Sequence, residues 1–313
     1  MYQLHKMLFL YTETPLHVGA GKSVGAVDLP IQRDRVTQYP LLQASGLKGC
    51  LRDAVRNTQQ KDVDIIFGKA GEQGESYMGA LAAADARLLL FPVRSLAGVF
   101  AYTTSLHALN TFVRAAELSR LNVKKLEELL AKLTLLLPND TNRAIVGKDS
   151  VLKVGKDKGI KVVLEEFSFE AHLDDTIKTL GEWLAKEVFP TGEAYRYWRE
   201  QLPKRLCVLG EDAFRDFTLY GTDVRTHVKL DPLTKTVETR ALWTTESLPV
   251  DSLLYAPILL SDTRRSESNQ KLTAAEVWQV LQNSVGERMQ FGGDETTGQG
   301  WTALRFSEGG GQS

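Results

Sequence analysis

Cysteine is nearly missing: Cys50 and Cys207 are the only two in 313 residues. They stand far apart, without CxxC or His-x-x-x-His spacing, which excludes a disulfide framework and a structural zinc site as reasons for the fold. Net charge is equally scarce. The 38 Lys and Arg face 39 Asp and Glu, a formal charge of −1, so the chain is no polycation coating nucleic acid by bulk attraction. Contact with nucleic acid would have to come from local segregation of charge. No apolar run reaches membrane-spanning length. The opening MYQLHKMLFLYTETPLHVG lacks the apolar stretch and small-residue cleavage site of a secretory leader. The expectation is a soluble protein of a reducing compartment, the cytoplasm, with no membrane contact.

Apolar residues make up 43% of the chain, and at this length they can build a sizeable core without a staple. Residues 6–11 (KMLFLY) suit a first strand. Residues 16–35 carry Gly19, Gly21, Gly25 and Pro30 and read as a long loop. From 44 to 57, Leu47, Leu51 and Val55 recur every fourth residue, the mark of one buried helical face, with Ser45 as the predicted N-cap. Residues 61–86 read as a loop-rich excursion. Strands are predicted at 87–93 and 98–104, with Pro92 confining the first to an edge or ending it. Helices follow at 107–119 and 123–136, a strand at 161–172, helices at 175–189 and around 194–201, a strand at 206–209 and a helix at 211–219. A hairpin spans 226–242 around Asp231 and Pro232. A strand at 252–260, a helix at 273–285 and a strand at 301–306 close the chain, and 307–313 reads as a disordered tail. Strands and helices mix without a βαβ rhythm, so an α+β sheet with insertions fits better than a doubly wound parallel sheet.

Gly21-Lys22-Ser23 imitates the end of a phosphate-binding P-loop, but the full pattern needs glycine where Leu16 stands and a helix after Ser23. The loop can still touch phosphate through glycine amides, Lys22 and Ser23. Asp28, between Val27 and Leu29, reads either as a turn residue or as an acid with a task. His17 lies in the same loop and brings an imidazole near that carboxylate for acid–base work. Lys48, Arg52 and Arg56 form a basic stripe beside the apolar face of the first helix. Residues 1–60 hold seven Lys/Arg against four Asp/Glu, a local basic excess. The stretch GGDETTGQG, with Gly292, Gly293, Thr296, Gly298 and Gly300, is denser in glycine than a turn requires. It implies positive φ angles or close approach of a ligand. The hairpin carries Arg225 and His227 among β-branched residues.

Taken in order, LHVGAGKSVGAVDLPIQRD, SGLKGCLR, LFPVRSLAGVFAYTTSLHAL, LWTTESLP and FGGDETTGQGW resemble the RAMP superfamily of CRISPR proteins. More narrowly, they are similar to the repeated backbone subunit of type III-B (Cmr) RNA-targeting complexes. The resemblance runs from about residue 8 to 306 and is weakest over 110–200. It implies one RAMP domain over 1–306: a ferredoxin-like core related to RNA-recognition modules (about 1–105 and 244–306), a helical insertion (about 106–220) and a protruding β-hairpin thumb (about 221–243). Such subunits stack as copies along a crRNA guide with other Cmr subunits, and the thumb displaces pairs between guide and complementary target RNA.

The resemblance assigns guide or target contacts to Lys22, Ser23, Arg33, Ser45, Lys48, Arg52, Arg56, Arg225, His227 and the loop residues Gly292, Gly293, Thr296, Gly298 and Gly300. It implies cutting of target RNA that depends on Mg²⁺ or another divalent cation and on Asp28, with His17 and Glu246 at assisting positions. Thr244 and Thr245 replace the aromatic residue and acid that many relatives have before that glutamate, and Gly46 replaces a serine before LKG. The alternative is a non-catalytic RNA-binding scaffold of the same complex.

Overall fold

The computed structural model of the chain describes residues 2–23, 25–58, 61–69, 76–136, 142–156, 159–264 and 271–307. Residues 308–313 of the predicted tail lie outside this set.

The first strand, Leu4–Thr12, is apolar at successive positions because it is covered on both sides. Alternation sends neighbouring side chains to opposite faces. Leu8 and Leu10 join a core with Leu47, Leu51 and Val55 of the helix Ala44–Thr58 and with Val277 and Leu281 of the helix Ala274–Ser284. Met7, Phe9 and Tyr11 join a second core with Leu109, Phe112, Leu180 and Leu184 of the helices Leu106–Leu118 and Asp175–Val188. The first strand pairs antiparallel with Leu253–Leu260 on one side and Trp301–Phe306 on the other, and Leu253–Leu260 pairs in turn with Ala86–Arg94. With the two helices of the first core, the chain runs strand–helix–strand–strand–helix–strand, and the strands lie in the order fourth, first, third, second.

Ala86–Arg94 changes partner midway. Its first half pairs with Leu253–Leu260, while Phe91 to Arg94 pair with Phe100–Ser105. Pro92 therefore sits inside a strand, opposite Tyr102, where only one neighbour remains; proline tolerates that edge-like setting. The sheet then continues through segments predicted as mainly helical. Arg143–Val146, Lys153–Val154, Lys161–Leu164, Phe167–Leu173 and Leu206–Leu209 bring the mixed sheet to thirteen strands. The single strand predicted over 161–172 is a hairpin instead, turned at Glu165, whose φ is +50°. Ser45 is not the cap of the first helix. It lies exposed inside the first turn, and the Asp85 carboxylate accepts from the Ala44 N–H at 2.8 Å.

Asp223–Leu230 and Val237–Ser247 pair with each other outside the main sheet, forming a two-stranded ribbon, and at its root Thr245 makes an isolated parallel bridge to Leu29. Its turn is set by Asp231, whose carboxylate accepts from the N–H groups of Leu233 and Thr234 at 2.8 Å. Among the described residues no helix is long and apolar enough to cross a membrane.

Candidate functional site

The loop after the first strand is held by a network centred on Glu246, at the root of the ribbon. The Glu246 carboxylate is buried. It pairs with Arg33 at 2.5 Å and accepts from the Thr222 hydroxyl at 2.8 Å and the Ile31 N–H at 3.0 Å. Its main chain donates to the Leu29 carbonyl at 3.0 Å and accepts from His17 Nδ1 at 2.6 Å. Because a carbonyl can only accept, His17 carries its proton on Nδ1. The imidazole is buried, and a Cβ on Gly19 would approach its Nε2 to 2.9 Å.

Arg33 is consumed by this network. Besides Glu246, its guanidinium donates to the carbonyls of Gln38 and Thr218, both at 2.9 Å, and its side chain is only 14% exposed. The predicted RNA contact is thus an internal strut. Gln32 completes the tie, donating to the Gly19 carbonyl at 3.0 Å and accepting from the Gln43 N–H at 2.9 Å just before the first helix.

Asp28 is exposed, but one of its carboxylate oxygens is fixed. Oδ2 accepts from the Thr244 N–H at 2.8 Å and the Thr244 hydroxyl at 2.9 Å, while Thr244 Oγ1 accepts from the Asp28 N–H at 3.0 Å. These bonds, the backbone one foremost, hold the carboxyl below its ordinary range, as bonds to a charged form do. Oδ1 has no partner among the described residues. Beside it lies an open pocket of about 400 Å³ lined by Lys22, Ser23, Asp28, Leu29 and Trp243. No helix follows Ser23; its N–H donates to the Asp28 carbonyl at 2.9 Å, which removes the P-loop reading.

The C-terminal glycine loop meets this region from the other side. Gly293 donates to the His17 carbonyl at 2.9 Å and Gly300 to the Pro15 carbonyl at 2.8 Å. Gly292, Gly298 and Gly300 have positive φ, and a Cβ on Gly292 or Gly300 would fall 2.2 or 2.0 Å from a carbonyl oxygen, whereas Gly298 has open space. Two of the four glycines are therefore required by the fold itself. Thr296 is exposed in the single turn Glu295–Thr297. The Cys50 thiol of the first helix lies against the Gly292 backbone, so the helix and the glycine loop share one surface.

The basic stripe on that helix is partly neutralised. Arg52 pairs with Asp64 and donates to the Gly68 carbonyl at 2.7 Å, and Arg56 pairs with Asp53 at 3.1 Å. Lys48 has no ion pair among the described residues, and its half-burial, with Arg52 nearby, lowers its pKa. On the ribbon, Arg225 pairs with Asp223 at 2.7 Å. His227 lies opposite Trp243, their rings stacked at 5.5 Å and 14°. Trp243 and Thr244 lie in the LWTTESLP motif, where the sequence assigns them no site role; Trp243 lines the Asp28 pocket and Thr244 fixes its carboxylate.

No group of three or more His, Cys, Asp or Glu that could hold a metal ion occurs among the described residues. Asp28 offers a single free carboxylate oxygen. That suits a hydrated Mg²⁺, which commonly takes one or two carboxylates and completes its shell with water and substrate phosphate.

The frame is a mixed sheet with helices on both faces and a separate two-stranded ribbon, with the Asp28 loop at the ribbon's root. The RAMP superfamily matches residues 9–303, and the chain belongs to that family. It is 34% identical over 303 residues to the CRISPR system Cmr endoribonuclease Cmr4 of Pyrococcus furiosus, which spans 96% of this chain and 94% of that protein. The crystal structure of oligomeric Cmr4 from the same organism matches with a TM-score of 0.67 at 28% identity, covering 97% of this chain and 98% of that one. A chain of the type III-B Cmr-beta complex bound to cognate target RNA shares the fold at a TM-score of 0.71 and 21% identity, covering 97% of this chain and 98% of its own.

Proposed function

We propose that the chain is the backbone subunit of a type III-B CRISPR effector complex and cleaves guide-paired target RNA at the Asp28 loop. The observation that carries this reading is the Asp28 carboxylate, fixed through one oxygen by Thr244 and open through the other onto a pocket with Lys22 and Ser23. The similarity to an endoribonuclease over nearly its whole length supports it. The strand order supports a ferredoxin-like core, and the ribbon lying outside the main sheet supports a thumb. The guide lies along the first helix and the glycine loop, where Lys48 is the cation free to meet a phosphate. Copies of the chain stack along that guide beside other Cmr subunits.

RNA brings its own nucleophile, the 2′-OH. Splaying one nucleotide against the ribbon aligns that hydroxyl with the scissile phosphorus, and such positioning supplies much of a rate enhancement. Lys22 and Ser23 orient the phosphate. Asp28 Oδ1, with phosphate oxygens, would hold a divalent cation such as Mg²⁺, which when bound screens phosphate charge. Glu246 acts as a positioning residue, since both its carboxylate oxygens are spent on holding the loop to the ribbon root, while His17 uses only Nδ1 for that tie and keeps Nε2 as a basic nitrogen.

The test is cleavage of labelled complementary RNA by the assembled complex in Mg²⁺ and in EDTA. Regular, metal-dependent cuts that vanish in Asp28→Asn, with guide and target binding kept, are expected. The scaffold alternative draws on there being one free carboxylate at the site. Undiminished cutting by an assembled Asp28→Asn complex would establish it and move catalysis to another subunit.

A further inference from the structure

Trp243 occupies a position that the loop network does not explain. It is 37% exposed, lines the Asp28 pocket, and stands one residue before the threonine that fixes Asp28. The His227 ring backs it, 5.5 Å away and nearly parallel. His227 Nε2 is buried and has no hydrogen-bond partner, which is uncommon for a buried polar atom. The imidazole is thus spent on supporting the indole rather than on a bond of its own. Arg225, two residues along, shares the ribbon face of His227, while Val224, Val228 and Leu242 lie on the other. The pocket joins a flat aromatic wall to a cation, a hydroxyl and a carboxylate, in a volume within the range of small-ligand sites. That inventory matches one nucleotide: a ring to stack and a phosphate to pair.

We propose that Trp243, backed by His227, is the stacking platform for the single nucleobase presented beside Asp28. The inference rests on the reading that target RNA is cut at this loop, and it adds a base subsite to it. Stacking accepts any base because every base has a π-face. Binding is therefore sequence-tolerant but sensitive to whether a base is present, with purines held better than pyrimidines.

The experiment uses the assembled complex with guide and target RNAs carrying 2-aminopurine, adenine or an abasic site at the nucleotide beside Asp28. With wild type, 2-aminopurine fluorescence is quenched at that position and the abasic target is cut roughly tenfold or more slowly than the adenine target. Trp243→Ala abolishes the quenching and removes the difference between the adenine and abasic rates. Trp243→Phe, which keeps an aromatic face, restores most of both signals. If Trp243→Ala does not assemble, Trp243→Leu carries the same comparison. Equal slowing of adenine and abasic targets, with quenching unchanged, would overturn the proposal and leave the indole a structural part of the ribbon. The quenching is also read in Asp28→Asn, where cleavage is expected to be absent. Cutting by Asp28→Asn would sink the cleavage reading, while quenching would still decide the platform.

Discussion

His17 and Glu246, 229 residues apart in sequence, are joined at 2.6 Å through the imidazole Nδ1 and the glutamate carbonyl. The same glutamate takes Arg33 through its side chain. One residue at the ribbon root therefore grips both ends of the Asp28 loop.

Removing Arg33 strips Glu246 of its counter-ion in a setting where the two side chains are 14% and 8% exposed. Breaking one partner of such a pair leaves a buried charge and costs about 3–5 kcal/mol. Arg33→Ala should lower the denaturant midpoint accordingly and impair cutting only through lost loop order. A change under about 1 kcal/mol would mean that the pair behaves as a surface salt bridge.

Asp28 titrates below the ordinary carboxylate range because Thr244 donates to its charged form. A depressed folded-state pKa contributes stability above the ordinary value, and that contribution is lost as pH falls through the folded value. Thr244→Val removes the hydroxyl but keeps the N–H, so the Asp28 pKa should rise part of the way back. Carboxyl carbon NMR of Asp28 should show this directly, and the acid limb of the cleavage profile should move to higher pH. An unmoved titration would deny the hydroxyl its part in holding the carboxylate.

The glycine loop separates two kinds of glycine. Gly292→Ala places a Cβ 2.2 Å from the His17 carbonyl oxygen, whereas Gly298→Ala meets nothing within 4 Å, although both have positive φ. Gly298→Ala should cost about 1–2 kcal/mol, the backbone penalty alone. Gly292→Ala should cost distinctly more and disturb the His17 contact. Equal midpoints in chemical denaturation would contradict the close approach.

The first helix and first strand were legible in the sequence because their signals are local. Leu47, Leu51 and Val55 fall on one face, and the unbroken run from Met7 to Tyr11 announces a strand covered on both sides. Arg33 misled because nothing local distinguishes a strut from a ligand contact. Its acceptors at Thr218 and Glu246 arrive from far along the chain. The ion pair of Arg52 was hidden in the same way, since Asp64 reaches it only once the next short helix has turned back. The pairing of His227 with Trp243 was hidden by an irregularity in the ribbon. Counting outward from the Leu230–Val237 pair puts His227 opposite position 240, but the register shifts between Val228 and Leu230.

The ribbon and the acid-bearing loop cannot move apart. Asp28, Leu29 and Glu246 exchange bonds across the root strand through Thr244 and the Leu29 carbonyl. A strand of eight residues, Asp223–Leu230, extends about 26 Å at the usual rise, giving a long arm with its pivot beside the carboxylate. A ribbon that tilts as one body re-aims Asp28 with it, so that seating the far end of the lever and pointing the acid become a single mechanical event.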